Sequence, residues 1–484
     1  MNNLAQAMLG YDPAQLKPGV VHVGTGNFAR AHLFNYLHDL AELGYKDWGV
    51  MGIKPTCRDD QEPSPDTGHL YTLIAQNGRI HRHILGPLLG VMGGQKSPAA
   101  VIERMASPET RLITLTITHS GYCLNASNMP DVEKLSADIV ALKKQDWENV
   151  RTVPGWLVAS LYLRQQRDLP YPTILSLDNL PRNGTITRNA IVRLAHEVSP
   201  ELAQYAEKVA CPHSVVDRIV PRTPADIYEH HVIVGTPIVS EEHRAFFIED
   251  RFSPGTRPPL DEVGAKFVSD TRPYEEAKIG IVNGGHLALA VVAKIIGVQI
   301  VHEAIDTAKH PVLRSYLEKF LKQAEDALSV RLNVDVSQWH ATTLERFGND
   351  KLPDTVDRLL VSTCSKVVPR LFNAAALECG LPADGSAFAI AAWMNYMKTN
   401  GIEFLGEDIT TNPIDTPEEL VDFLTPGAKG VSPSVLRSFV DRVFDDYALI
   451  QEKGLAVALA ERFITNPERS LVSGSGPLPV LAPT

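Results

Sequence analysis

The segment Gly19-Val-Val-His-Val-Gly24-Thr-Gly26-Asn27-Phe28-Ala29 constrains the fold of this chain more than any other stretch. A short β-branched run ends in glycine, and a glycine-spaced turn then opens a helical pattern. The order fits G-x-G-x-x-A. One glycine permits the tight turn, the next lets backbone approach a pyrophosphate, and the small last residue lets helix pack on strand. Gly24, Gly26, Asn27, Phe28 and Ala29 are therefore candidate dinucleotide contacts. A plain turn would show the same spacing. Strand before, helix after and a place near the N-terminus favour the dinucleotide reading.

Strand and helix signals go on alternating through the first half. A helix is predicted from Phe28 to Leu43, strands at Trp48 to Ile53 and Arg111 to Ile117, a helix near Trp156 to Arg167, and a strand at Pro172 to Leu177. Such alternation implies parallel strands joined by crossover helices. After about Lys278 helical periodicity dominates, over His302 to Leu328 with Pro311 at a helix start, Thr355 to Leu377, Ser386 to Thr399, and Ser432 to Ile464 with a break. The expected fold is α/β, with a Rossmann-type dinucleotide-binding domain over 1–277 followed by a mainly α-helical substrate domain over 278–484.

Composition narrows the function classes. At 484 residues two domains, or else three, are expected, and 44% hydrophobic with 21% charged residues is ordinary for a soluble globular protein. A formal charge of −11 argues against a nucleic-acid-coating surface. The five cysteines are scattered without C-x-x-C or Cys/His spacing, which points to free thiols in a reducing compartment and to no zinc site. No secretory signal pattern opens the chain, and the apolar run Leu287 to Val301 is too short to span a bilayer, so a cytoplasmic protein is expected.

One further stretch carries chemistry. Lys278-Ile-Gly-Ile-Val-Asn283-Gly-Gly-His286 places an amine, a carboxamide and an imidazole on one segment. On an α-helix Asn283 would lie ~140° and His286 ~80° around from Lys278, so all three project into one half of the surface. An ordinary amphipathic helix with a surface lysine would show the same spacing.

Six motifs then occur in order: Gly24-x-Gly26-x-Phe28-x-Arg30-Ala31-His32, Thr116-x-Thr118-x-x-Gly121-Tyr122, Asp178-Asn179-Leu-Pro-x-Asn183-Gly184, Val216-Asp217-Arg218-Ile-x-Pro221, Tyr274-Glu-Glu-x-Lys278-Ile and Asn283-x-x-His286. Together, from about Gly19 to Lys366, they resemble the polyol-specific long-chain dehydrogenases, the mannitol dehydrogenase family. Gly121 to Asn125 and Cys211 to Arg222 look nearest to D-arabinitol dehydrogenases within it.

The resemblance implies a metal-independent secondary-alcohol dehydrogenase with Lys278 as general base. A lysine serves in that role near neutral pH only if burial or a nearby cation favours its neutral form. It further implies that Asn179 and Asn283 hold the substrate oxygen, that His286 orients a neighbouring hydroxyl, and that Asp217 tunes the lysine or closes a proton path. Arg358 and Lys366 would grip substrate hydroxyls, ~80° apart on one helix. Asp217-Arg218 as a local ion pair and Arg358 and Lys366 as solvated charges are the plainer readings. His32 is expected to cap or pack the first helix, and Asn183 to make turn hydrogen bonds.

Thr116 and Thr118 are expected at the cofactor. Asp59 or Asp60 would take the ribose hydroxyls of NAD, whereas Lys54 or Arg58 would meet the 2′-phosphate of NADP. NAD is the leading expectation and NADP the alternative. His119-Ser120 and Gly284-Gly285 depart from the usual family residues and predict an altered substrate range. The expected reaction interconverts a linear polyol and its ketose, D-arabinitol with D-xylulose or D-mannitol with D-fructose. A hexuronate reductase giving an aldonate is the alternative, since Arg358 and Lys366 would also suit a carboxylate. From another class stands a non-catalytic dinucleotide- or sugar-sensing protein. The expected partner is a small polyol or sugar acid, with neither nucleic acid nor membrane, and the protein is expected to be a monomer or weak oligomer.

Overall fold

The computed structural model describes residues 9–56, 69–125, 129–230, 233–332, 336–352, 354–361, 363–400 and 413–463. They form two compact units. The first takes in residues up to Glu275 and a short segment from Lys351, and the second takes in Glu276–Asp350 and the chain from Asp354 onward.

The first unit is built on parallel strands β1 (Val20–Val23), β2 (Val50–Lys54), β5 (Leu88–Gly93), β6 (Leu112–Leu115) and β7 (Thr173–Ser176), in the order β5-β2-β1-β6-β7. Val20 pairs with Val50 on one side and Leu112 on the other. β1, β6 and β7 are buried along their whole length, which is why they read as unbroken apolar runs. Alternate residues feed two cores. Val21, Val23, Ile113, Leu115 and Ile174 meet Trp156 and Leu157 of the Val153–Gln166 helix. Val20, Leu112 and Leu175 pack with Leu33, Phe34 and Leu37 of the Leu33–Glu42 helix on the other side. Each such buried side chain contributes about 1.5–3 kcal/mol, so a one-residue slip of any central strand would be heavily penalised. Helices on both faces of a parallel sheet make a doubly wound Rossmann fold. Its strand order reverses beside β1, where such sheets bind ligands at the strands' carboxyl ends.

Two small sheets stand beside it: β4-β3-β9, from β3 (Tyr71–Asn77), β4 (Arg79–Leu85) and β9 (Pro237–Glu241), and β11-β10-β8, from β8 (Ser214–Asp217), β10 (Ala245–Glu249) and β11 (Lys266–Val268). The sequence reading did not anticipate them, although Asn77-Gly78 at the β3–β4 turn is a strong hairpin signal, with Gly78 at φ 63. The helix expected from Phe28 to Leu43 is instead two, Asn27–Ala31 and Leu33–Glu42. Arg218 Nη1 donates to the Ala31 carbonyl, which a continuous helix would offer to the Asn35 amide, and His32 Nε2 donates to the Ala245 carbonyl of a neighbouring strand. The His32 ring stacks on Phe28 and meets Phe246 edge-on, a packing role.

The second unit is helical. Gly284–Ile295 is buried from Gly284 through Ala293, and its core includes Tyr316 and Phe320 of Pro311–Leu332, Phe388 and Trp393 of Asp384–Asn400, and Phe439 of Pro433–Lys453. The helical stretch Arg272–Ile295 is long and apolar enough to cross a bilayer, but 72% of its most apolar window is buried inside the fold, as in a core helix. Pro311 does open a helix, and Gly454, at φ 79, breaks the last long one. The segment expected as one helix from Thr355 to Leu377 is three, Val356–Leu360, Cys364–Arg370 and Ala374–Glu378. Asn373 starts the third by accepting from the Ala376 amide at 3.1 Å. Arg358 and Lys366 therefore sit on separate helices, and the 80° relation expected for them does not apply.

Gly284 and Gly285 face protein. A Cβ at Gly284 would lie 2.6 Å from the Arg370 carbonyl oxygen, and one at Gly285 2.6 Å from Leu321 Cδ2. Close helix packing accounts for this pair.

Candidate active site

The dinucleotide turn stands at the carboxyl ends of β1 and β6. Gly24 has φ +101, and a Cβ there would lie 2.1 Å from the Thr116 carbonyl oxygen, so only glycine fits. Thr116 Oγ1 donates to the Gly24 carbonyl at 2.7 Å, and the Gly26 amide closes the turn on the same carbonyl at 2.7 Å. At Gly26 a Cβ would meet nothing within 4 Å, and Gly26 and Asn27 are exposed. Backbone bare on its outer side is what a pyrophosphate needs, so these residues fit a dinucleotide. Ala29 is buried in the helix–sheet contact, and Phe28 packs on His32. Asp59, with Arg58 and Asp60, lies outside the described residues, whereas Lys54 ends β2.

Beneath the turn, the buried His22 hydrogen-bonds with Thr114 Oγ1 at 2.8 Å, Thr116 Oγ1 at 3.0 Å and the Gly24 carbonyl at 3.1 Å. Burial drops its pKa from 6.5 to about 4. The unfolded chain therefore takes up the proton first, and stability contributed by neutral His22 is lost as pH falls from 6.5 toward 4, by about 3 kcal/mol at most. Thermal melts should show a smaller drop between pH 7 and pH 5 for His22→Asn than for the parent; equal drops would refute the assignment.

A second buried network ties β6 to β7. Thr118 is held at φ 60, a strained conformation for a β-branched residue. The Asp178 carboxylate fixes it by accepting from the Thr118 amide (2.8 Å), the Ile117 amide (3.1 Å) and the Tyr122 hydroxyl (2.7 Å). Burial raises the Asp178 pKa, against the pull of these donors. The Tyr122 oxygen in turn accepts from the Ser176 hydroxyl at 2.6 Å, and Asn183 bridges the Ser176 and Ser214 carbonyls. Asn183 is thus structural. Asn179 follows Asp178 directly and is exposed. Asp178→Ala would leave buried donors unsatisfied and cost about 2–4 kcal/mol, measurable by urea unfolding. Asp217 is buried at the end of β8, 3.8 Å from His243 Nε2. Arg218 does not close on it as a local pair. Its guanidinium donates to Ala31, Asn35 and Glu241.

In the second unit Lys278–Asn283 is a π-helical segment leading directly into the α-helix Gly284–Ile295. The Gly284 amide donates to the Ile279 carbonyl, five residues back. At about 4.4 residues per turn, ideal π winding brings Asn283 within ~50° of Lys278 instead of ~140°. Three α-helical steps then return His286 to within ~10° of Lys278. Winding of this kind gathers three side chains that a regular helix would spread over half its surface. Lys278 is only 8% exposed, so it is not a surface lysine, and burial, one condition for a lysine base, is met. Asn283 Nδ2 is buried with no acceptor among the described residues.

The His286 ring stacks on Phe347 (centroids 3.8 Å apart), and its Nε2 lies 3.8 Å from Asp354 Oδ2. Asp354 in turn accepts two bonds from Arg358, at 2.7 and 2.8 Å. Lys366 Nζ donates to the Val361 carbonyl. Asp354 and Phe347 escaped the sequence reading. Asp354 stands four residues before Arg358, a spacing at which oppositely charged side chains meet on helices.

Residues 18–262 match the mannitol dehydrogenase Rossmann domain, and residues 270–419 match the mannitol dehydrogenase C-terminal domain. A mannitol 2-dehydrogenase of Aspergillus terreus is 32% identical over 460 residues, covering 90% of this chain and 89% of its own. One from Cereibacter sphaeroides is 35% identical over 404 residues, covering 80% and 82%. Among solved structures, a D-sorbitol dehydrogenase in substrate-free form superposes with a TM-score of 0.80 at 27% identity, covering 93% of this chain and 96% of its own. Pseudomonas fluorescens mannitol 2-dehydrogenase, in ternary complex with NAD and D-mannitol, gives 0.75 at 27% identity, covering 94% and 96%. With a Rossmann unit followed by a helical one, and both matched in that order, the chain belongs to the mannitol dehydrogenase family.

Proposed function

We propose that this protein is an NAD-dependent polyol dehydrogenase that interconverts a linear polyol and its ketose, with Lys278 as general base. The observation that carries the reading is the π-helical segment running from buried Lys278 to Asn283, whose buried Nδ2 has no acceptor among the described residues. An unsatisfied buried donor costs about 1–3 kcal/mol, which a substrate oxygen would return. The relatives named mannitol 2-dehydrogenase, and the one solved with NAD and D-mannitol, support the cofactor and the substrate class.

In this reading Gly24, Gly26, Asn27, Thr116 and Thr118 would hold the dinucleotide, Ala29 would pack the helix that carries the turn, and Asp59 would read the ribose. NAD, when bound, would supply the acceptor for the hydride lost from the carbinol carbon. Lys278 Nζ takes the hydroxyl proton. Asn179 and Asn283 donate N–H bonds to the oxygen as charge builds on it, a contribution of about 10²–10³ in rate per donor. His286 holds the neighbouring hydroxyl, Arg358 and Lys366 the more distant ones, and Asp217 relays the proton onward. No step requires a metal ion. Free thiols at Cys123, Cys211, Cys364 and Cys379 suit a reducing compartment such as cytoplasm.

The test is a panel of pentitols, hexitols and aldonates with NAD and NADP, read as reduced-cofactor absorbance, with and without EDTA. D-mannitol with NAD is expected to lead, D-arabinitol to follow, and EDTA to change nothing. Turnover of mannonate without turnover of any polyol would reverse the reading.

A further inference from the structure

The Asp354 carboxylate is 4% exposed. Burying an anion is costly unless charge and hydrogen bonds repay it, and here Arg358 repays it fork to fork, Nε on Oδ1 at 2.7 Å and Nη2 on Oδ2 at 2.8 Å. Backbone pins the acid on both sides. Its carbonyl accepts from the Val301 amide at 3.0 Å, and the Val356 amide bonds to the Gln299 carbonyl at 2.9 Å. The same Oδ2 lies 3.8 Å from His286 Nε2, an ion-pair distance when the imidazole is protonated, and Phe347 holds that ring from its face.

Arg358 is thus not a bare cation. Its charge is matched by a fixed carboxylate, two of its nitrogens are spent, and only Nη1 is left without a partner among the described residues, on a side chain 42% exposed. An N–H donor from a neutralised pair suits a hydroxyl. A ligand carboxylate would have to compete with Asp354 for the fork and would meet its negative charge nearby.

We propose that Asp354 is a specificity-determining positioning residue: by occupying Arg358 and lying against His286, it sets this part of the site to receive neutral polyol hydroxyls and to reject sugar-acid carboxylates. The inference rests on the polyol dehydrogenase reading.

The experiment compares kcat and KM for D-mannitol and for mannonate in the parent, Asp354→Asn and Arg358→Gln proteins, with NAD binding by fluorescence titration as the check on folding. In Asp354→Asn the polyol KM should rise at least tenfold with a smaller change in kcat. The mannonate-to-mannitol ratio of kcat/KM should rise at least tenfold, because a bare guanidinium is exposed. In Arg358→Gln, where the acid stays and its cation goes, the ratio should fall. A ratio within threefold of the parent in an NAD-binding Asp354→Asn protein overturns the proposal. If Asp354→Asn does not fold, an Arg358→Gln ratio at or above the parent value overturns it equally. Failure of the underlying reading shows separately, as a parent enzyme that turns over no polyol.

Discussion

A Gly26→Val protein is expected to fold with nearly the stability of the parent and to lose at least ~100-fold in NAD affinity. Gly26 has extended backbone (φ −75, ψ 176) that a β-branched residue accepts, and a Cβ there meets nothing within 4 Å. The valine would fill only the space proposed for the pyrophosphate. Gly24→Val should behave in the opposite way. There φ is +101 and the new Cβ would fall 2.1 Å from the Thr116 carbonyl oxygen, so the turn itself must move. A cost above ~3 kcal/mol is expected, from left-handed strain in a branched residue plus the backbone clash. Urea unfolding with NAD titration separates the two. Unchanged NAD affinity in Gly26→Val would remove the turn from the cofactor site.

Lys278→Ala is expected to lower kcat by about 10³, within the range for loss of a general base, with little change in NAD affinity. The side chain is buried, so part of the measured loss could come from a packing defect. Lys278→Met, which keeps the length and the apolar stem, controls for that and should be as inactive as the alanine protein. Asn283→Ala should cost about 10² in kcat, and the Lys278/Asn283 double variant much less than the product, because the two groups act on one oxygen.

Four strands of the central sheet were legible, β1, β6 and β7 because they are buried on both faces and so appear as continuous apolar runs between turn signals, whereas the edge strand β5 was not anticipated. The glycine turn was legible because its chemistry is local. What escaped depended on partners remote in sequence. The helix break at His32 follows from Arg218, 187 residues from Ala31. Asp178 is a hub because Thr118 lies 60 residues away, and nothing in the sequence separates such an acid from a solvated one. Asp354 was hidden for the same reason. The π-segment was invisible to a reading at 100° per residue, since Gly280, Gly284 and Gly285 signal close packing without revealing how the helix winds. Lys278, Asn283 and His286 were found as residues, but their alignment belongs to that irregularity.

The central claim is that Lys278 Nζ takes the substrate's hydroxyl proton. Chemical rescue tests it most directly: initial rates of NADH formation from D-mannitol by Lys278→Ala, with increasing methylamine or ethylamine. Saturable recovery of at least tenfold in kcat is expected, larger for the smaller amine at equal basicity, and none in a Lys278→Met protein whose side chain fills the space. A Lys278→Ala enzyme that oxidises mannitol at the parent rate without added amine would contradict the account.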